Sequence, residues 1–151
     1  MSTPVRRVLP PIWLLLTLIS ACLLDRALPL LEYLSEPWNL VGFVPLALGC
    51  IMAATSAAAF KRAGTPVMPF ERSKKLVLGG WFRLTRNPMY LGLTLVQLGV
   101  GMVLGSLGAL LPLPLLMAVL HFRFVLGEEE FLDGIFGEEY RAYCASVRRW
   151  I

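Results

Sequence analysis

Charge is scarce in this chain. Asp, Glu, Lys and Arg make up 16% of its 151 residues, against 57% hydrophobic residues and a mean hydropathy of +0.69. A soluble domain carries about a quarter charged residues, so a water-soluble globule is not the reading to start from. Histidine is scarcer still: His121 stands alone, which argues against a zinc or iron site. The three cysteines, Cys22, Cys50 and Cys144, have unrelated spacings and form neither a disulfide framework nor a metal cluster. No Ser/His/Asp or Cys/His arrangement for nucleophilic catalysis is present. No long basic stripe is interleaved with exposed aromatics, so nucleic acid is not an expected partner.

What the chain has is apolar sequence in long blocks, at about 11–34, 40–60, 88–105 and 107–126. At ~1.5 Å per residue, twenty residues of helix span a hydrocarbon core of ~30 Å. The expectation is an all-α integral membrane bundle of about four transmembrane helices, the last two a short hairpin. Pro112 and Pro114 should kink the fourth block or delay its onset. Gly and Ala in the second block (Gly42, Gly49, Ala53, Ala54, Ala57) favour close helix approach and a central place. Run 18–22, LISAC, also admits reading as a lipoprotein signal ending at Cys22, but the apolar run continues past it. Asp25 and Arg26 are expected near the outer interface, with Arg26 snorkelling.

The basic residues are placed unevenly. Arg6 and Arg7 precede the first block, and seven lie in 61–87, including Lys61, Arg72, Lys74 and Arg86. Arg123, Arg141, Arg148 and Arg149 end or follow the last block, while 32–38 and 105–108 have none. This asymmetry predicts an even number of crossings with both termini and the 61–87 loop cytoplasmic. Gly64, Pro66, Pro69, Gly79 and Gly80 should break regular structure in that loop. Phe70, Trp81 and Phe82 are candidate interface anchors. The whole is expected to be one domain, closed by amphipathic helices over 127–151 that carry Phe131, Leu132, Ile135 and Phe136, then Tyr140, Tyr143 and Val147.

Residues 85–92, TRNPMYLG, carry the strongest local signal. Asn87 suits an N-cap and Pro88 the first helical position. The N–H groups of that turn and the helix dipole favour an anion, and Arg86 adds a planar donor for a carboxylate or phosphate. Gly92 removes a side chain where a ligand could lie, and Tyr90 offers a ring and a hydroxyl. Ordinary helix-start topology, with arginine on lipid headgroups, explains the same octapeptide. Glu128-Glu129-Glu130 then crowds three acids at the end of a membrane block. They read either as a solvated helix start or as a pair facing a cation or ribose hydroxyls. Gly137 can end one helix and turn into the next. A ligand with an anionic end and a cationic part, meeting an apolar substrate at the membrane, fits this set; S-adenosylmethionine has that chemistry.

The ordered set Arg86-Asn87-Pro88, Tyr90, Gly92, then Glu128-Glu129, then Phe136-Gly137 and Tyr140 resembles the isoprenylcysteine carboxyl methyltransferase-like membrane methyltransferases. Phospholipid N-methyltransferases belong to the same broad group. The likeness covers about 60–148. It implies an S-adenosylmethionine pocket lined by Arg86, Asn87, Pro88, Met89, Tyr90, Leu91, Gly92, Glu128, Glu129 and Tyr140, with His121 similar in placement to polar cofactor contacts. Arg86 and Glu129 are the candidate catalytic pair. The acceptor expected is a lipophilic, membrane-embedded small molecule. Asn87 stands where the prenylcysteine enzymes have His, which detaches the prenylcysteine substrate from the resemblance. Membrane sterol reductases that use NADPH have a similar pattern, although Met89 stands where those have Asn. A non-catalytic membrane protein is the third alternative.

Overall fold

Pro10 and Pro11 occupy the first turn of α1 (Pro10–Ala27), where a missing N–H costs nothing. The computed structural model describes residues 9–67 and 75–151. Arg6, Arg7, Pro69, Phe70, Arg72 and Lys74 therefore lie outside the described residues. The described residues are helical without a strand. After α1 come a 3-10 turn (Trp38–Gly42), α2 (Phe43–Arg62), a second 3-10 turn (Gly80–Arg83) and α3 (Pro88–Leu104). The remainder comprises α4 (Leu107–Leu110), α5 (Pro112–Leu120), a π-helical turn (His121–Val125), α6 (Leu126–Phe136) and α7 (Glu138–Ser146).

Three segments are long and apolar enough to cross a membrane: Pro10–Ala27, Trp38–Arg62 and Leu107–Phe136. The 17-residue α3 is a shorter apolar helix, ~25 Å long at 1.5 Å per residue. It is nonetheless the packing centre. Gly42, just before α2, and Gly49 within it face Gly99 and Gly92 of α3 so closely that a Cβ on either side would strike the other's backbone. Small residues permit this approach in lipid, where packing rather than water exclusion holds helices together. Against its other side, Gln97, fully buried, accepts a 3.0 Å hydrogen bond from Thr17 of α1.

Three expectations need correction. The first helix stops at Ala27, not near 34. Leu28 precedes a proline and takes φ −151°, as the ring of Pro29 disfavours helix there. The apolar chain beyond it pairs with the α3–α4 connection instead: Tyr33 and Leu34 N–H donate to Gly105 O, and Leu107 N–H to Leu31 O. Of the two outcomes expected of Pro112 and Pro114, a delayed onset is not seen, whereas the helix is interrupted just before Pro112. Ser106 caps it at Leu107, accepting from Ala109 N, and its own hydroxyl donates to Asp25 at 2.6 Å. Pro112 takes a first-turn position after a break at Leu111. Nor do the acids begin a separate helix. Leu107–Phe136 is one 30-residue segment, ~45 Å long, so its charged end extends past a ~30 Å hydrocarbon core.

Candidate functional site

The π-helical turn prepares the site. A wider turn shifts the register of everything after it, and such turns cluster at functional sites. Here Leu116, Leu120, Phe124 and Val125 are all buried. From the adjacent core positions 124 and 125, one helical turn on, come Glu128 and Glu129, both turned inward toward α3. Tyr90 donates to Glu128 Oε2 at 2.8 Å. Arg86 Nη1 lies 3.3 Å from Glu129 Oε1, with both side chains about 15% exposed. The arginine before the third helix and the acids ending the fourth segment thus meet directly.

They meet on the wall of a cavity of about 410 Å³, within the ~300–1,000 Å³ usual for small-molecule sites. Of the sequence-predicted residues, Arg86, Asn87, Pro88, Met89, Tyr90, Glu128, Glu129 and Tyr140 line it. The facing walls are apolar: Pro10 and Pro11 of α1, Ala53 and Phe60 of α2, Leu93 of α3, and Phe131 and Leu132 of α6. Charged groups gather at Arg86, Glu128 and Glu129, and the remaining lining is mostly apolar, with Lys75 also on it. Arg86 Nε is buried without a hydrogen-bond partner among the described residues, which leaves donor capacity in that cluster.

Three predicted contacts fall elsewhere. Gly92 faces Gly49 O and Ala53 of α2; its missing side chain admits a helix, not a ligand. His121 is drawn to the C-terminal tail, where its Nδ1 accepts a 3.4 Å bond from Trp150 Nε1. Leu91 is half-buried outside the cavity lining. The helix-start geometry also differs. Asn87 sits at the N-cap position but makes no side-chain cap; its Nδ2 donates to Arg149 O at 3.0 Å. Arg86 N–H donates to Arg148 O and Asn87 N–H to Thr85 Oγ1, so these two amides bind protein rather than an anion. Phe82 is no interface anchor: it is buried edge-on against Phe60, ring centres 5.2 Å apart.

Sequence reasoning expected helices over 127–151 to close the domain but did not single out Arg149 or Cys144 as contacts of the site. Arg149 grips both oxygens of Glu129, with Nε at 3.0 and 3.1 Å and Nη2 at 2.8 Å. Those bonds hold its guanidinium pKa above the usual value. Cys144 of α7 accepts from Arg86 Nη1 at 2.7 Å. Gly137 does turn the chain as expected, ending α6 with φ 52°. That turn brings Tyr140 and Tyr143 under the site, ring centres 6.2 Å apart. Tyr143 donates to Phe82 O at 2.7 Å.

Burial pushes the Tyr143 hydroxyl up to about 12 from an ordinary 10, and raises Tyr140 as well. A raised native pKa binds the proton more tightly in the folded state. The stabilisation is complete below pH 10 and is lost as pH rises from 10 through 12. Detergent-solubilised protein should therefore loosen α7 over that window. Tyrosinate absorbance should rise together with protease sensitivity at 138–146, and Tyr143→Phe should delay both.

The model of the family described as phospholipid methyltransferase matches residues 38–139, which include the Arg86 turn and both acids. An uncharacterized protein of Haemophilus influenzae is 38% identical over 63 residues, the whole of that protein and 42% of this chain. With the family match spanning about two-thirds of the sequence, and apolar helices of membrane-crossing length around the cavity, this integral membrane protein belongs to the phospholipid methyltransferase family.

Proposed function

We propose that the protein is an S-adenosylmethionine-dependent methyltransferase acting on a lipophilic acceptor held in the bilayer. One observation carries the reading: Arg86 and Glu129, 3.3 Å apart, stand with Glu128 on the wall of a cavity whose remaining lining is mostly apolar. The cofactor supplies a methyl group on a sulfonium, beside a carboxylate, an ammonium and a ribose.

The residues present suit those groups. Arg86, with its unpartnered Nε, offers a planar donor to a carboxylate. Glu128 and Glu129 offer acceptors to cations or ribose hydroxyls. Tyr90 and Tyr140 bound the same space. The apolar walls from α1, α2 and α6 admit an acyl or isoprenoid chain and keep water from the reacting centre. Alignment of two bound reactants gives up to ~7–11 kcal/mol, and direct transfer needs no covalent protein intermediate. The basic residues of 61–87 and of the C-terminal region support an orientation with that loop and both termini cytoplasmic.

Calorimetric titration of the purified protein with S-adenosylhomocysteine should show saturable binding. Tritiated methyl from S-adenosylmethionine should appear in a lipid extract of the host membrane. NADPH oxidation by the protein, with no homocysteine-nucleoside binding, would replace this reading with the reductase one.

A further inference from the structure

Residues 148–150 lie beyond the stretch matched to the family, yet they bind residues of the site repeatedly. Arg148 O accepts from Arg86 N–H at 3.0 Å. Arg149 O accepts twice, from Thr85 Oγ1 at 3.1 Å and Asn87 Nδ2 at 3.0 Å. The Arg149 side chain turns the other way and takes Glu129 in three contacts of 2.8–3.1 Å. Trp150 seats on His121 at the π-helical turn, ring centres 6.2 Å apart.

We propose that Arg149 is a positioning residue of the cofactor site. Its main chain fixes the 85–87 turn, and its guanidinium fixes the Glu129 carboxylate against Arg86. This rests on the S-adenosylmethionine reading above.

Three features separate this role from a surface ion pair. The contact is a two-oxygen fork, the geometry in which arginine restricts a carboxylate most. The carboxylate is only 15% exposed, so screening by water is limited. And Arg86 cannot do the same job. It reaches Glu129 through a single 3.3 Å contact, spends Nη1 also on Cys144, and keeps Nε unpartnered. Arg149 thus neutralises and orients Glu129, leaving Arg86 available to an incoming anion. Lysine at 149 would keep the charge and lose the fork.

The test compares wild type, Arg149→Met, Arg149→Lys and a surface control, Arg141→Met, whose partners Asp133 and Glu138 lie on the exposed side of α6 and α7. Affinity for S-adenosylhomocysteine should fall at least thirtyfold in Arg149→Met, recover only to about tenfold below wild type in Arg149→Lys, which keeps the charge without the fork, and stay at wild type in the control. Amide exchange of peptide 82–90 in the ligand-free protein should accelerate at least tenfold in Arg149→Met. That readout does not depend on any cofactor. Unchanged exchange in Arg149→Met overturns the positioning role. So does full recovery of binding in Arg149→Lys, which would make the charge alone sufficient and the fork irrelevant. If wild type takes up no S-adenosylhomocysteine but exchange still accelerates, the cofactor reading fails, and the tail is left holding the turn and Glu129 for a different ligand.

Discussion

Arg86→Ala should abolish most S-adenosylhomocysteine binding while the protein melts close to wild type. The two halves of that result have separate causes. A charged hydrogen-bond donor contributes about 1.5–3 kcal/mol to a buried partner, which at 1.4 kcal/mol per decade is a loss of roughly 12- to 140-fold. Stability is spared because Glu129 keeps both oxygens on Arg149 and is not stranded as an unpaired buried charge. Arg86→Lys should recover part of the affinity, since a point charge lacks the fork. Glu129→Gln should show the opposite balance. It leaves Arg86 and Arg149 facing each other without the carboxylate between them, so the melting midpoint and the binding fall together. Calorimetry and differential scanning in one detergent measure both. Equal melting loss in Arg86→Ala and Glu129→Gln would make the pair a structural ion bridge and remove the ligand from it.

How much of this was readable in the sequence depends on how local each signal is. Asn87-Pro88 marks the start of α3 because proline at a first helical position is a property of that residue alone. Gly137 marks the end of α6 for the same reason: it takes φ 52°, open to glycine and strained for other residues. The meeting of Arg86 with Glu129 was legible through the ordered motif, since two polar groups at the ends of adjacent apolar blocks have few places to go. Segment 28–34 was not legible, because hydropathy records apolarity and not helicity, and those residues satisfy their backbone on Gly105 and Leu107 far along the chain. Arg149 was hidden for a related reason. RRW at the chain's end reads as interfacial charge and aromatic, and its bonds to residues 85, 87 and 129 leave no periodic trace. Gly92 was read from the wrong neighbour. A glycine one turn into a helix tells that something lies close to it, but not whether that something is a ligand or a helix.

Gly92→Ala decides between those two neighbours. A Cβ at 92 would lie 2.8 Å from Gly49 O and 2.9 Å from Ala53 N, both backbone atoms of α2 that no rotamer change can move. Relief requires α2 and α3 to separate. Overpacking of this kind costs about 1–3 kcal/mol, or roughly 2–12 °C in melting midpoint for a chain of this size. Gly49→Ala should cost as much, since its Cβ would meet Gly92 O at 2.5 Å and Val96 N at 2.8 Å. Leucine at either position should prevent the two helices from docking. Gly134→Ala is the control: within α6 a Cβ there meets nothing within 4 Å, and alanine favours helix over glycine by about 0.5–1 kcal/mol, so the midpoint should hold or rise. Because Pro88, Met89 and Tyr90 ride on the same helix as Gly92, a forced α2–α3 separation also displaces the cavity wall, and binding should weaken in step with stability in both Gly92→Ala and Gly49→Ala. Loss of S-adenosylhomocysteine affinity in Gly92→Ala alone, at an unchanged melting midpoint, would return Gly92 to the ligand and contradict the helix contact.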